Sequence, residues 1–531
     1  MKWKCINVDP TDICNQYGLK PLTGKLISAS NLSQEQISEI LDSDNTLITS
    51  KASCVLQACQ RILQARENKE KVFVAGDYDA DGVCSTAIMK ATLDCLGITN
   101  GYYIPDRVKE GYGLKPSTVE LASEKGYSLI ITVDNGVKAH EALQKAKQLQ
   151  LETIVTDHHT IEEDVDCNIL VHPNFLEEPF QYLSGAGVAL QISRNLIGNK
   201  DVLNALAGVA AIGDVMPMWR QTRKLVLKTI DLLKQNTPMS LTALANSNYI
   251  DQTAISFGIV PKLNSLGRMS DLCNVNTLPQ YLLSSNVQDI KKYALQVNQI
   301  NEMRKKRSER EFSIAEELIQ SNDAIHVLYS DSFHEGICGM TASKVSDKYH
   351  KPSIVLARSG NLLKGSGRSV TGLDLFTFCK DFPYLSAFGG HVQAVGLSFE
   401  AQYLEAFQQY VKEKATSIQL KQEEEEQSVL EIQENDINLE NLMDLQRLDP
   451  YPQDMFKPYF MIQNPQILEM KETAKMVKYT IYNAYGGFDA VCYKRKNIKV
   501  VQQPKLMIGT VSINRWLGKI RCQFVIEDMQ S

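Results

Sequence analysis

Between residues 71 and 230, short apolar runs rich in β-branched residues alternate with helix-period stretches, the pattern of a parallel sheet covered by helices. Residues 71–75 read as a first strand and 83–96 as the helix after it. Runs at 127–133, 153–156 and 168–172 repeat the strand pattern, with a helical stretch near 138–150. All are apolar throughout rather than alternating, as strands buried on both faces are. From 287 to 320 the period becomes that of one long helix without Pro or Gly, carrying Lys305, Lys306, Arg307 and Arg310 on a polar side. Strand-like runs at 325–329 and 353–356, with a helix around 340–349, predict a second, smaller α/β domain. The last 85 or so residues hold β-rich runs at 478–482, 505–512 and 520–526, which predict a small barrel.

This patterning divides the chain into an N-terminal extension (1–50), a parallel-sheet domain (51–286), a connecting helix (287–320) and a second α/β domain (321–415). An acidic linker (416–444) and a β-barrel domain (445–531) complete it. Composition adds little and excludes much. At 531 residues, with 44% hydrophobic and 22% charged residues, the chain reads as soluble and globular, not collagen-like, disordered or a disulfide scaffold. The richest apolar run, 205–213, stops at Asp214, well short of the roughly 18 residues of a membrane span. The N-terminus lacks the apolar core of a secretory signal. Twelve cysteines without C-x-x-C pairs suit buried thiols in a reducing compartment, so the expectation is a cytoplasmic protein.

The net charge of −6 argues at first against a nucleic-acid partner. It is an average. Residues 423–444 hold nine acidic residues and no Lys or Arg, and without them the balance is 56 basic to 53 acidic. Residues 457–521 hold twelve basic and three acidic residues, so the basic surface is expected in the last domain.

The candidate chemistry sits where strands end. Gly76-Asp-Tyr-Asp-Ala-Asp-Gly82 follows the first strand, Asp134-Asn-Gly136 the second and Asp157-His-His159 the third; Asp214 closes the apolar run 205–213. The carboxyl end of a parallel sheet is where ligands bind. An EF-hand loop is excluded, because Ile88 stands where its twelfth-position Glu belongs and a strand replaces the entering helix. If these strands are neighbours, Asp79, Asp81, Asp134, His158 and Asp214 converge on one edge. Such a carboxylate-rich, imidazole-poor set suits Mn²⁺ or Mg²⁺ better than Zn²⁺.

Taken in order, these motifs, with Ile104-Pro-Asp-Arg-Val-Lys-Glu-Gly-Tyr-Gly-Leu114, resemble the DHH phosphoesterase superfamily, and within it the RecJ single-strand exonucleases. Phe388-Gly-Gly-His-Val-Gln-Ala-Val-Gly396 resembles the signature of the DHH-associated domain. Pro261-Lys-Leu-Asn-Ser-Leu-Gly-Arg268 and Gly365-Ser-Gly-Arg-Ser369 also resemble RecJ motifs, and the tail resembles the family's oligonucleotide-binding (OB) barrel. The tail departs from that pattern at 448–456, where a Gly-rich turn is usual.

The resemblance implies a parallel-sheet DHH domain, a long connecting helix, a DHH-associated domain and an OB-like barrel. It also implies a two-metal phosphodiesterase using Mn²⁺ or Mg²⁺, in which a cation pair about 3.5–4 Å apart serves an in-line displacement. Asp134 is the implied bridging ligand, with Asp79 on one metal and Asp81, His158 and Asp214 on the other. Asp157 orients a ligand or the turn, and His159 stands beside the scissile phosphate as donor or proton shuttle. Asp77 is left open between metal ligand and loop cap, and Tyr112 between loop support and packing. Arg268, Ser366, Arg368, Gly389, Gly390 and His391 form the implied phosphate clamp. Of Tyr479, Tyr482, Tyr485, Phe488, Tyr493 and Trp516, one or two are expected to stack on bases.

The function implied is 5′-to-3′ hydrolysis of single-stranded DNA to mononucleotides in repair and recombination. The expected protein is a monomer whose partners are single-stranded DNA, a single-strand-binding protein and a helicase, with no membrane. Two alternatives stand beside it: an oligoribonuclease or cyclic-dinucleotide phosphodiesterase of the same superfamily, and a non-catalytic single-strand-binding replication scaffold.

Overall fold

The computed structural model describes residues 2–247, 249–320, 322–416, 426–494, 498–516 and 519–531. Glu423, Glu424 and Glu425 of the predicted acidic linker lie outside the described residues, as does the side chain of Trp516. The chain forms two compact units, one of residues 47–216 and 225–423, the other of residues 1–46, 217–224 and 424–531.

In the first unit five parallel strands lie in the order Asn100–Tyr103, Val72–Ala75, Leu129–Val133, Glu152–Thr156, Ile169–Val171. The Val72–Ala75 and Leu129–Val133 strands are buried along their whole length, as their unbroken apolar runs require. Asn100–Tyr103 is a half-buried edge strand of sequence Asn-Gly-Tyr-Tyr, which carries no apolar run to betray it. From Val72–Ala75 the chain first crosses to Asn100–Tyr103 on one side and then to Leu129–Val133 on the other. That reversal opens a crevice at the carboxyl ends of Val72–Ala75 and Leu129–Val133.

The Ala80–Cys95, Gly185–Ile197 and Asp201–Gly213 helices pack together beside this sheet. The last of them corrects the sequence reading, which grouped Asp214 with the strand ends. A buried apolar run of nine residues has no periodicity that separates helix from strand, and here it is helical, so Asp214 is a helix C-cap.

The Val287–Leu318 helix leads to a second sheet ordered Leu385–His391, Ala394–Glu400, Leu362–Arg368, Ser353–Ser359, His326–Tyr329. Only the pair Ser353–Ser359 and His326–Tyr329 is parallel. One face buries Leu363, Val395, Leu397 and Phe399 with Phe378, Phe382 and Phe407. On the other face the Cys338–Tyr349 helix packs against Ser353–Ser359 and Leu362–Arg368.

The second unit is built on one eight-stranded sheet. Its order is Lys2–Ile6, Glu426–Glu431, Phe460–Gln463, Leu506–Trp516, Lys519–Gln530, Phe488–Tyr493, Met476–Ile481, Ile467–Glu472. The expected β-rich domain is present here, with no closed barrel found. Among the described residues the sheet does not close, and Lys2–Ile6 and Ile467–Glu472 each have a neighbour on one side only. Closure needs the two end strands to pair with each other. Instead the N-terminal strand adds itself in parallel to Glu426–Glu431 and lengthens the sheet. No helix among the described residues is long and apolar enough to cross a membrane.

Candidate functional site

The loop after Val72–Ala75 enters the crevice and turns at once into the Ala80–Cys95 helix. Asp79 makes that turn by capping the helix, its Oδ1 accepting the amides of Asp81 and Gly82 at 3.0 Å each. Asp81, 2% exposed, accepts the Ser184 hydroxyl at 3.0 Å and the amides of Gly185 and Ala186 at 2.7 and 2.8 Å. These groups start the Gly185–Ile197 helix, whose positive end favours a carboxylate. Asp77 is 1% exposed and its Oδ1 has no hydrogen-bond partner. Asn264, in the Val260–Arg268 helix, accepts the Ala80 amide at 2.7 Å, which explains the Asn of that motif as a brace for the acidic loop.

After Leu129–Val133 the chain bends at Asp134, a buried non-glycine residue at φ 62°. Such a backbone costs about 1–3 kcal/mol and persists only where its surroundings hold it. Its amide donates to the Thr156 carbonyl at 3.0 Å, and its carbonyl accepts the Tyr112 hydroxyl at 2.9 Å. Gly185 lies against its side chain, where an added Cβ would stand 2.5 Å from the Asp134 Cβ. Asn135 ties strand ends together, donating to the carbonyls of Ala75 and Val133 at 3.0 Å each and accepting the Leu114 amide at 3.2 Å.

Asp157 ends the next strand and works on its neighbours. One oxygen accepts the amides of His158 and His159 at 2.8 and 3.2 Å and lies 2.7 Å from His159 Nδ1; the other accepts the Val137 amide at 3.0 Å. Burial pushes its carboxyl up, but these hydrogen bonds outweigh burial and hold it below the usual range. Burial likewise lowers His159, yet Asp157 more than compensates and the imidazole is raised. The Tyr112 hydroxyl also lies 3.1 Å from His159 Nδ1. Tyr112, Val137, Lys138, Asp157 and His159 line a small cavity of about 240 Å³.

His158 points to the centre. Its Nε2 lies 3.2 Å from Asp134 Oδ1, 3.3 Å from Asp214 Oδ2 and 3.6 Å from Asp81 Oδ2. Donor atoms of Asp81, His158 and Asp214 lie within 4.8 Å of one another, and so do those of Asp77, Asp79 and Asp134. Burial drives the acids toward protonation and the imidazole toward neutrality. Asp77 and Asp134 are raised well above the usual range, first by burial and then by neighbouring aspartates. Asp214 is pushed up to about 7 by burial, then by Asp81 and Asp79, and His158 is lowered by burial. Asp77 Oδ1, Asp134 Oδ1 and His158 Nε2 are all buried without a hydrogen-bond partner. Clustered acids and orphaned acceptors of this kind fit divalent cations, whose charge offsets the repulsion.

Facing this acidic side stand guanidinium groups. Arg107 lies over the Tyr78 ring at 4.8 Å. Arg268 is lowered to about 9 by burial and then by Arg107 and Arg304, and Arg368 is lowered by burial and then by Arg107. Arg107 thus lies within electrostatic reach of both Arg268 and Arg368, and a concentration of positive charge of this kind suits an anion. Gly339, at the head of the Cys338–Tyr349 helix, would place a Cβ 3.3 Å from Arg368 Nη2 and 3.4 Å from Ser366 Oγ. Gly389, Gly390 and His391 lie exposed on the edge strand Leu385–His391. Their glycines differ: a Cβ on Gly389 meets nothing within 4 Å, whereas on Gly390 (φ 139°) it would meet the Ala394 carbonyl at 2.2 Å. Arg107 escaped the sequence reading although its motif was in view, because an Arg in a loop carries no signal until its neighbours are known.

Residues 71–213 match the DHH family N-terminal domain, 322–417 the DHHA1 domain and 430–528 the RecJ OB domain. The single-stranded-DNA-specific exonuclease RecJ of Escherichia coli is 30% identical over 403 residues, covering 68% of this chain and 69% of that protein. The chain belongs to the RecJ family. RecJ of Bacillus subtilis is 30% identical over 502 residues, which cover 89% of this chain; the chain spans 63% of that relative's length. Among solved structures, RecJ of Thermus thermophilus with Mn²⁺ superposes over 100% of this chain and 79% of its own at a TM-score of 0.84, with 20% identity.

Proposed function

We propose that the protein is a metal-dependent exonuclease that hydrolyses single-stranded DNA to mononucleotides, 5′ to 3′, in DNA repair and recombination. The observation that carries this reading is the convergence of Asp77, Asp79, Asp81, Asp134, His158 and Asp214, with orphaned buried donor atoms, beside the Arg107–Arg268–Arg368 cluster. Asp134 would be shared by the metal ions, with Asp77 and Asp79 as the further residues to hold one and Asp81, His158 and Asp214 those to hold the other. Bound Mn²⁺ or Mg²⁺ would supply Lewis acidity and a nucleophilic water at neutral pH. Asp81 is held by the Ser184 hydroxyl and the helix amides, and Asp134 by its strained loop, so the donors are set before substrate arrives. His159, oriented through Nδ1 by Asp157, keeps Nε2 for a phosphate oxygen and carries the proton there. Arg268, Arg368, Ser366 and the exposed Gly389-Gly390-His391 edge hold the phosphate.

Strand binding falls also to the OB domain, where Tyr482 and Tyr485 are 52% and 69% exposed, while Tyr479 and Phe488 belong to the core. Twelve free cysteines suit the reducing cytoplasm. The enzyme acts there as a monomer on strands coated by a single-strand-binding protein or opened by a helicase, since a nuclease confined to single strands needs another protein to expose them.

The test is digestion of end-labelled single-stranded DNA, duplex DNA and RNA with Mn²⁺ or Mg²⁺, with Asp134→Ala as control. Mononucleotides released from a 5′-labelled single strand, and absent with the variant, are expected. Activity confined to di- and trinucleotides would point to the small-substrate alternative, and binding without cleavage to the scaffold.

A further inference from the structure

The strand Leu362–Arg368 alternates strictly. A Cβ on Gly365 or Gly367 would collide with Leu356, Leu375 or Val395, and Leu363 is fully buried, so these residues face the core. Lys364, Ser366 and Arg368 therefore share the opposite face. Ser366 and Arg368 meet the head of the Cys338–Tyr349 helix, whereas Lys364 reaches across to the first sheet's domain. Its Nζ donates to the Val108 carbonyl at 2.7 Å and pairs with Glu335 Oε2 at 3.1 Å. The Glu335 side chain is 14% exposed and that of Lys364 31%, so the pair is partly screened by water; it is a close ion contact at 3.1 Å, while the hydrogen bond of Lys364 goes to the Val108 carbonyl.

Val108 follows Arg107 directly. Their loop is folded on itself by Glu110, which accepts the Tyr103 hydroxyl at 2.7 Å and the Asp106 amide at 2.6 Å. Lys364 is the second domain's hold on that loop. The residues flanking Glu335 grip the other arginine-bearing segment: His334 Nε2 lies 3.3 Å from Asp271 Oδ1, and a Cβ on Gly336 would stand 2.0 Å from the Arg268 carbonyl oxygen. One tripeptide, His334-Glu335-Gly336, thus references both Arg107 and Arg268 to the strand that carries Arg368.

We propose that Lys364, braced by Glu335, is a positioning residue for phosphate capture: by holding the Val108 carbonyl it sets the Arg107 guanidinium in register with Arg368, so the grip on the strand's terminal phosphate depends on the second domain being seated on the first. The proposal rests on the single-strand exonuclease reading. Loss of the hold leaves the metal ligands untouched and disturbs binding, since a guanidinium misplaced by about 1 Å loses its hydrogen bonds to phosphate.

The experiment measures kcat and KM of the full chain on a 5′-phosphorylated single-stranded oligonucleotide with saturating Mn²⁺, together with the melting temperature. Lys364→Met is expected to raise KM at least fivefold with kcat within twofold and melting unchanged. Lys364→Arg, which keeps a donor of similar reach, is expected to return KM to within twofold of the parent. Arg107→Ala should raise KM as well, and adding Lys364→Met to it should change KM by less than twofold. The proposal is overturned if folded Lys364→Met has the parent KM, or if the two substitutions multiply. Should Lys364→Met melt lower, Glu335→Gln takes its place, with a KM rise of at least twofold at constant kcat expected and an unchanged KM counting against the proposal. A parent protein that leaves single strands intact would defeat the exonuclease reading instead, so the two failures are distinct.

Discussion

Asp134 concentrates the demands of the site in one residue: a left-handed backbone, a buried carboxylate and an orphaned oxygen beside an imidazole. Asp134→Asn keeps its shape and removes its charge. Cleavage of end-labelled single strands should fall at least about 10³-fold, in line with loss of a principal electrostatic group. The metal-free variant should also melt higher than the parent at pH 8, because an ionised carboxylate is disfavoured in that buried setting. Gly185 is needed for a different reason. A methyl group there collides with Asp134, so Gly185→Ala should cost about 1–3 kcal/mol in denaturant unfolding and lower activity at least tenfold. The aspartates and histidines of the site were legible because few other roles suit such clusters at strand ends. Ser184, Asn264 and Arg107 were not, since a Ser cap, an Asn acceptor and a loop Arg occur throughout any chain.

At the scale of elements, the long Val287–Leu318 helix carries a buried titratable group, Glu311, 1% exposed, whose Oε1 accepts the His334 amide at 3.0 Å. Burial pushes its carboxyl up to about 7. The folded state therefore binds this proton more tightly than the unfolded chain, whose Glu titrates near 4.3. Stability from this group is fully present below that value and is lost as pH rises through 7. Glu311→Gln should match the parent near pH 4 and exceed it at pH 8 by on the order of 3 kcal/mol, read from urea unfolding at both pH values. Among elements, the buried strands and the long helix followed directly from periodicity. The Asn100–Tyr103 edge strand did not, because half-buried Asn-Gly-Tyr-Tyr has no apolar signal, and the 205–213 run was legible as buried but not as helix.

Across the whole molecule, charge is distributed by task. The acids of the site repel one another without cations, so Mn²⁺ should stabilise the protein by about 2.7 kcal/mol at a hundredfold excess over its Kd, seen as a melting shift that EDTA reverses. The local basic excess of the last domain should appear as a salt-dependent affinity for single strands. Exchanging exposed Lys475 and Lys519 for Gln should flatten the slope of log K against log salt by about 0.7 for each phosphate that is no longer neutralised. The positions of the buried strands along the chain, the carboxylates at their ends and the separation of acidic from basic segments were determined by the sequence alone, because apolar periodicity and clustered charge are local properties. Tertiary structure alone decided that Asp214 arrives from a helix, that Arg107 joins Arg268 and Arg368, and that the N-terminal strand extends an open sheet. Those facts depend on interactions between residues tens to hundreds of positions apart, which no local pattern records.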